Sequence, residues 1–164
     1  MRTTEVCSAL TRLFSELVDG TSGTDAFILN SGDIGLRRSL DKLSAADASR
    51  SLEGGATIAA HTQHVCYGLS LMNRWALEGG DPFADATWDV AWRTSDVDEP
   101  QWKEIRNSLG DEAHRWLKAL GSSREVSDLE LVGMIASIAH LAYHLGAIRQ
   151  IIKAARGPKE GTYS

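Results

Sequence analysis

Residues 125–155 constrain the fold more than any other stretch of this chain. Their apolar positions go nearly all the way round a helix. A helix without a polar face has to be covered by other elements, so the stretch predicts the last, longest and most deeply buried helix of the domain. Ser123 or Ser127 is placed to cap its start, and Gly157-Pro158 to close it. Inside it lies Ile138-Ala139-His140-Leu141-Ala142-Tyr143-His144-Leu145-Gly146-Ala147-Ile148, with two histidines four residues apart. Residues i and i+4 of a helix sit one above the other, so both imidazoles share one face.

Three further long helices are predicted to cover that one. Residues 3–18 carry Val6, Leu10, Leu13, Phe14 and Leu17 on one stripe, with Thr3 or Thr4 as cap and Gly20-Thr21-Ser22-Gly23 as stop. Residues 56–78 place Thr57, His61, His64, Gly68, Leu71 and Trp75 on a second stripe, stopped by Gly79-Gly80-Asp81-Pro82. Residues 98–120 open on Asp98-Glu99-Pro100, run Trp102, Ile105, Leu109, Ala113, Trp116 and Leu120 along one face, and end at Gly121. Between the first two, residues 24–54 read as a long ordered connection with short helices around 31–43 and 44–49. Residues 80–97 read as a loop whose Phe83, Trp88 and Trp92 are too apolar to stay in water and fold back onto the helices. The chain shows no β signal and no repeat. The expected fold is all-α: a four-helix bundle with a long, partly helical connection between the first two long helices. Residues 1–158 form a single domain, and 159–164 a flexible tail.

The 164 residues carry a formal net charge of −5. That excludes the basic footprint of a nucleic-acid or anionic-membrane binder. No run approaches the roughly eighteen apolar residues of a membrane span, and Met1 to Val6 shows no signal-peptide pattern. Two cysteines, Cys7 and Cys66, are too few for a disulfide scaffold and read as buried thiols. A cytoplasmic protein is expected.

Chemistry concentrates in the histidines. Of the five, His61, His64, His140 and His144 fall on inward stripes, and His114 points away. One histidine on an apolar face is usually a hydrogen-bonded core residue. Four in one core need partners for many nitrogens, and a shared cation satisfies several at once. The pair His140 and His144 supplies two metal ligands, and the third comes from His61 or His64. Imidazole ligation suits Zn, Ni, Fe or Cu and argues against Mg and Ca. The pair reads His-Leu-Ala-Tyr-His, with no glutamate between, so the His-Glu-x-x-His protease pattern is absent.

The segments Thr57-Ile58-Ala59-Ala60-His61-Thr62-Gln63-His64-Val65 and His140-Leu-Ala-Tyr-His144-Leu-Gly are similar to the DinB/YfiT-like superfamily of small helical bundles, as are Asn73-Arg74-Trp75 and Trp88-Asp89-Val90-Ala91-Trp92. The resemblance implies a divalent metal; with imidazole ligands the expected ion is a transition metal, Zn first, Ni next, with Fe or Mn also open. It implies three histidine ligands: His140 and His144 from the last helix and, by position along the second, His64. His61 is then a fourth ligand, a partner behind the ligands, or a base. The chain departs from many relatives in carrying Ala147 where they have Gln, and Leu52-Glu53-Gly54-Gly55 where they have a Trp.

Characterised relatives include metal-dependent S-transferases using low-molecular-weight thiols such as bacillithiol or mycothiol. The first functional expectation is therefore a metal-dependent enzyme acting on a small molecule, of the thiol S-transferase or detoxification type. The second is a non-catalytic, metal-stabilised ligand-binding or stress-response module. The third is a structural bundle whose histidines are core residues. A homodimer is expected from the resemblance, with Trp88, Trp92, Trp102 or Trp116 as contributors.

Overall fold

The structure, a computed structural model, describes residues 3–23, 25–122 and 125–159. Among them it is all-α, with four long helices, three short ones and no strand. The long helices are α1 (Thr3–Asp19), α4 (Ile58–Glu78), α6 (Glu99–Leu120) and α7 (Asp128–Ile151). The short ones are α2 (Gly35–Leu40), α3 (Ala45–Ala48) and α5 (Trp88–Ala91). The last of these lies inside the segment expected to be a loop. α4 packs on α6 and α7, and α1 packs on the same two.

Local chemistry sets the helix starts. The Ser127 hydroxyl accepts from the N–H of Glu130, whose carboxylate accepts from the N–H of Ser127. The same reciprocal box starts α6 at Asp98 and Gln101, and α3 at Ser44 and Asp47. Thr57 caps α4 through the N–H of Ala60. Thr3 and Thr4 both lie within α1, and Ser123 lies outside the described residues. The ending of α7 differs from expectation: Ile152 is extended, and a 3-10 turn at Lys153–Ala155 precedes Gly157-Pro158.

Trp102, Trp116, Phe14, Leu17, Leu36 and Ile58 are fully buried core residues. Each buried indole finds an acceptor: Trp102 Nε1 donates to the Leu43 carbonyl at 2.8 Å and Trp116 Nε1 to Ser137 Oγ at 2.9 Å. These two tryptophans therefore have no surface to offer a second copy. Cys7 and Cys66 are buried free thiols, as the sequence indicates.

Two buried carboxylates organise the first connection. Glu16 accepts the N–H groups of Phe27, Ile28 and Leu29 at 2.7–3.0 Å. Asp33 Oδ1 accepts the N–H of Gly35 at 2.9 Å and Arg149 Nη2 at 2.8 Å, tying the loop to α7. The chain crosses itself at Gly20 and Gly35, both at positive φ. A Cβ on Gly20 would lie 2.3 Å from the Asp33 carbonyl oxygen, and one on Gly35 would lie 2.4 Å from the Gly20 nitrogen.

One expectation fails. α7 is not buried all round: Leu129, Val132, Ile135 and Tyr143 are 73, 61, 50 and 69% exposed. α1, α4 and their neighbours cover only its inner side, through Met134, Ser137, Ile138, Leu141, His144, Leu145 and Ile148. The expected absence of a run long and apolar enough for a membrane span fails as well. By length and composition alone α7 qualifies, with a mean hydropathy of 1.6 over its most apolar window.

Candidate metal centre

α4 and α7 run antiparallel in contact, so Trp75 meets Gly133 while His64 meets His140 and His144. The approach depends on a missing side chain, since a Cβ on Gly133 would lie 2.5 Å from Trp75 Cζ3. His64 and His144 are buried, and His61 and His140 half-buried. The ligand atoms of His64, His140 and His144 all lie within 4.8 Å of one another, and the three can hold a metal ion.

The nitrogen contacts are specific. Nε2 of His140 lies 3.1 Å from Nε2 of His64 and 3.0 Å from Nε2 of His144. A ring nitrogen offers either one lone pair or one proton. His140 Nε2 therefore cannot serve both neighbours in good hydrogen bonds, whereas three lone pairs can share one cation. His64 Nδ1 is buried with no hydrogen-bond partner, which leaves Nε2 as that ring's polar contact. His61 stands behind the three: its Nδ1 lies 2.9 Å from Nδ1 of His144. With His144 Nε2 given to a metal, its Nδ1–H donates to His61, the arrangement by which an outer partner fixes a ligand's tautomer.

Burial also keeps the rings neutral. Desolvation, with the charges of His140 and His61 added, lowers the His64 pKa to about 4. Desolvation and the charges of His140, His61 and His64 lower His144 to about 3. His61 and His140 are lowered by burial as well. At neutral pH all four lone pairs are free of protons.

The roof comes from the second connection. Trp92 stacks on His64 with ring centroids 4.2 Å apart and planes at 22°, and meets His61 edge-on at 5.5 Å. Trp88 lies 5.4 Å from His64. Both indoles were expected to fold back onto the helices, but periodicity alone gave no sign that they would land on the imidazoles. Tyr67 fixes the loop by accepting the N–H of Thr87 at 2.9 Å. Beside His140, an apolar cavity of about 330 Å³ opens between α4 and α7, lined by Val65, Leu69, Met72, Phe83, Trp88 and Leu141 among others. Its hydroxyl, Ser137, is already engaged with Trp116 and the Met134 carbonyl. The sequence reading missed this cavity, and the small residues Gly68, Gly133 and Ala136 in its wall were the available signal.

His114 stands apart, beside Arg37 and Asp19 on α6's outer side. No family model, curated protein or solved structure matches this chain.

Proposed function

We propose that the four long helices form a four-helix bundle of the DinB/YfiT-like kind, built to hold a divalent transition metal on His64, His140 and His144. The observation that carries this is the double contact of His140 Nε2, which a shared cation accounts for and hydrogen bonds do not. Zinc suits three imidazoles best and nickel next, with iron or manganese after them. Three protein ligands leave an open position, and an ion so held lowers the pKa of a coordinated thiol or water toward neutrality.

On this reading the protein is a metal-dependent enzyme for a small molecule, of the thiol S-transferase type. His61 holds the His144 ring in its ligand tautomer. Trp88 and Trp92 shield the imidazoles from water. The cavity beside His140 seats an uncharged, apolar part of the substrate, because its wall offers no charged side chain to pair with an ionic one. The expected test is metal analysis of protein purified without added metal, then stripped and reloaded. Stoichiometric metal, lost in His140→Ala, supports the site; substoichiometric metal that cannot be reloaded overturns it.

A second reading, a metal-stabilised binding module without turnover, is favoured by the cavity wall, which holds no carboxylate to act as a general base. A screen of thiols with apolar electrophiles separates the two. Turnover abolished by a chelator and restored by metal selects the enzyme, and saturable binding without turnover selects the module.

A further inference from the structure

Two glycines line the cavity beside His140, for different reasons. Gly133 on α7 is required by packing, because a Cβ there would lie 2.5 Å from Trp75 Cζ3. Gly68 on α4 is buried, yet meets no such obstacle. The nearest atoms to a Cβ at Gly68 would be His140 Cε1 at 3.7 Å, His140 Nδ1 at 4.0 Å and Trp88 Cζ3 at 4.0 Å, all ordinary van der Waals contacts. Its backbone is helical, with no positive φ to demand glycine. Glycine is also a poorer helix residue than alanine. Neither backbone nor packing accounts for Gly68.

What the missing side chain leaves open is a passage. His140 belongs to both places that the passage joins: its Nε2 faces His64 and His144, while its Cε1 edge faces Gly68 and the cavity. Trp88 does the same, lying beside the His64 ring and lining the cavity. A methyl group at Gly68 would touch both of these walls at once and occupy the gap between them. Nε2 and Cε1 are bonded neighbours in the imidazole ring. A group held at the three histidines and a group lodged in the cavity are therefore joined by no more than a short linker.

We infer that Gly68 is a specificity-determining residue, which keeps the metal position and the apolar cavity continuous. The site then takes a compound whose metal-binding atom is directly attached to, or a methylene away from, an aromatic or bulky aliphatic group. This rests on the metal reading above. The cavity, of about 330 Å³, is more than twice the roughly 150 Å³ that admits a benzene ring. Phe83, Trp88 and Met72 offer it ring and thioether surfaces suited to an aromatic group. A polar group of the same size would leave its hydrogen-bonding atoms unpaired against this wall, since the Ser137 hydroxyl is already engaged.

The probes are phenylmethanethiol and 2-mercaptoethanol, added to cobalt(II)-loaded protein and followed by the thiolate-to-cobalt absorption band. Wild-type protein is expected to bind phenylmethanethiol at least about tenfold more tightly, through burial of the ring. Gly68→Ala should keep its cobalt, resist urea as well as wild type or better, and bind phenylmethanethiol no more tightly than 2-mercaptoethanol. Toluene, which carries no metal-binding atom, should bind zinc-loaded wild type and variant within about threefold of each other by NMR titration, because the cavity itself stays open. Failure of wild-type protein to prefer phenylmethanethiol or to bind toluene overturns the inference, as does a Gly68→Ala protein that retains the preference. Loss of cobalt or toluene binding in the variant, or marked destabilisation, overturns it too, since Gly68 would then serve packing or cavity volume. Wild-type protein that takes up no cobalt overturns the metal reading and this inference with it, a result that none of the other outcomes produces.

Discussion

The two long connections of this molecule are held by opposite means. The first, from α1 to α4, is fastened by buried carboxylates: Glu16 gripping three consecutive N–H groups, and Asp33 bridging the loop to Arg149. The second, from α4 to α6, is fastened by aromatic rings laid on the histidines and by an exposed ion pair, Arg74 with Asp85 at 2.6 Å. A carboxylate surrounded by donors has one acceptable geometry. Rings in contact can slide. The first connection is therefore scaffold, and the second is the part suited to admit a ligand to the imidazoles.

Breaking the first connection should cost most. Glu16→Ala strips three buried donors of their acceptor, for an expected loss of about 3–5 kcal/mol in urea unfolding. A loss below about 1 kcal/mol would mean that water replaces the carboxylate and the scaffold role is wrong. Asp33→Asn leaves Arg149 without its anion, with an expected cost of about 3 kcal/mol. Restoration by a second change, Arg149→Met, would identify the stranded guanidinium as the cause.

Acid should act under the second connection. Unfolded histidines titrate near 6.5, while folded His64 and His144 titrate at about 4 and about 3. Below pH 6.5 the unfolded chain binds more protons, so the metal-free protein should lose stability as pH falls through that window. Above it these groups add no slope. A thermal midpoint that stays flat from pH 7 to 4 would contradict the burial of these rings.

Trp92→Ala should cost only about 1–2 kcal/mol, since the indole is partly exposed, but should bring the His64 pKa up toward its ordinary value. An unmoved His64 titration by NMR would show that the ring does not shield the imidazole. At the small end, Arg74→Ala should leave the unfolding midpoint unchanged, as expected of a solvated ion pair. A clear shift would make the second connection more rigid than argued.

The long helices were legible because amphipathic stripes and capping pairs are local. Ser127 with Glu130 and Asp98 with Gln101 can be found by spacing alone. The meeting of His64 with His140 and His144 was legible because inward stripes on packed helices must face each other. Glu16 was not, since an acid on an amphipathic helix ordinarily reads as a solvated group, and its donors lie 11–13 residues away in a loop without periodicity. The outer face of α7 was misread for a related reason. Apolar pattern states which surface avoids water, and the chain has too few neighbouring helices to cover all of this one.

The crossing at Gly20 and Gly35 divides the first connection into a closed ring and a tail. Residues added within the ring, at Gly23 where a Cβ would meet nothing within 4 Å, enlarge a loop whose ends are already joined. By loop-closure entropy alone a doubling of such a ring costs about 0.6 kcal/mol. Residues added just after Gly35, within α2, would instead turn that helix's packed face off α1. In the drift of such a chain over time, length should vary inside the ring and hold constant outside it, and the two glycines should persist as a pair.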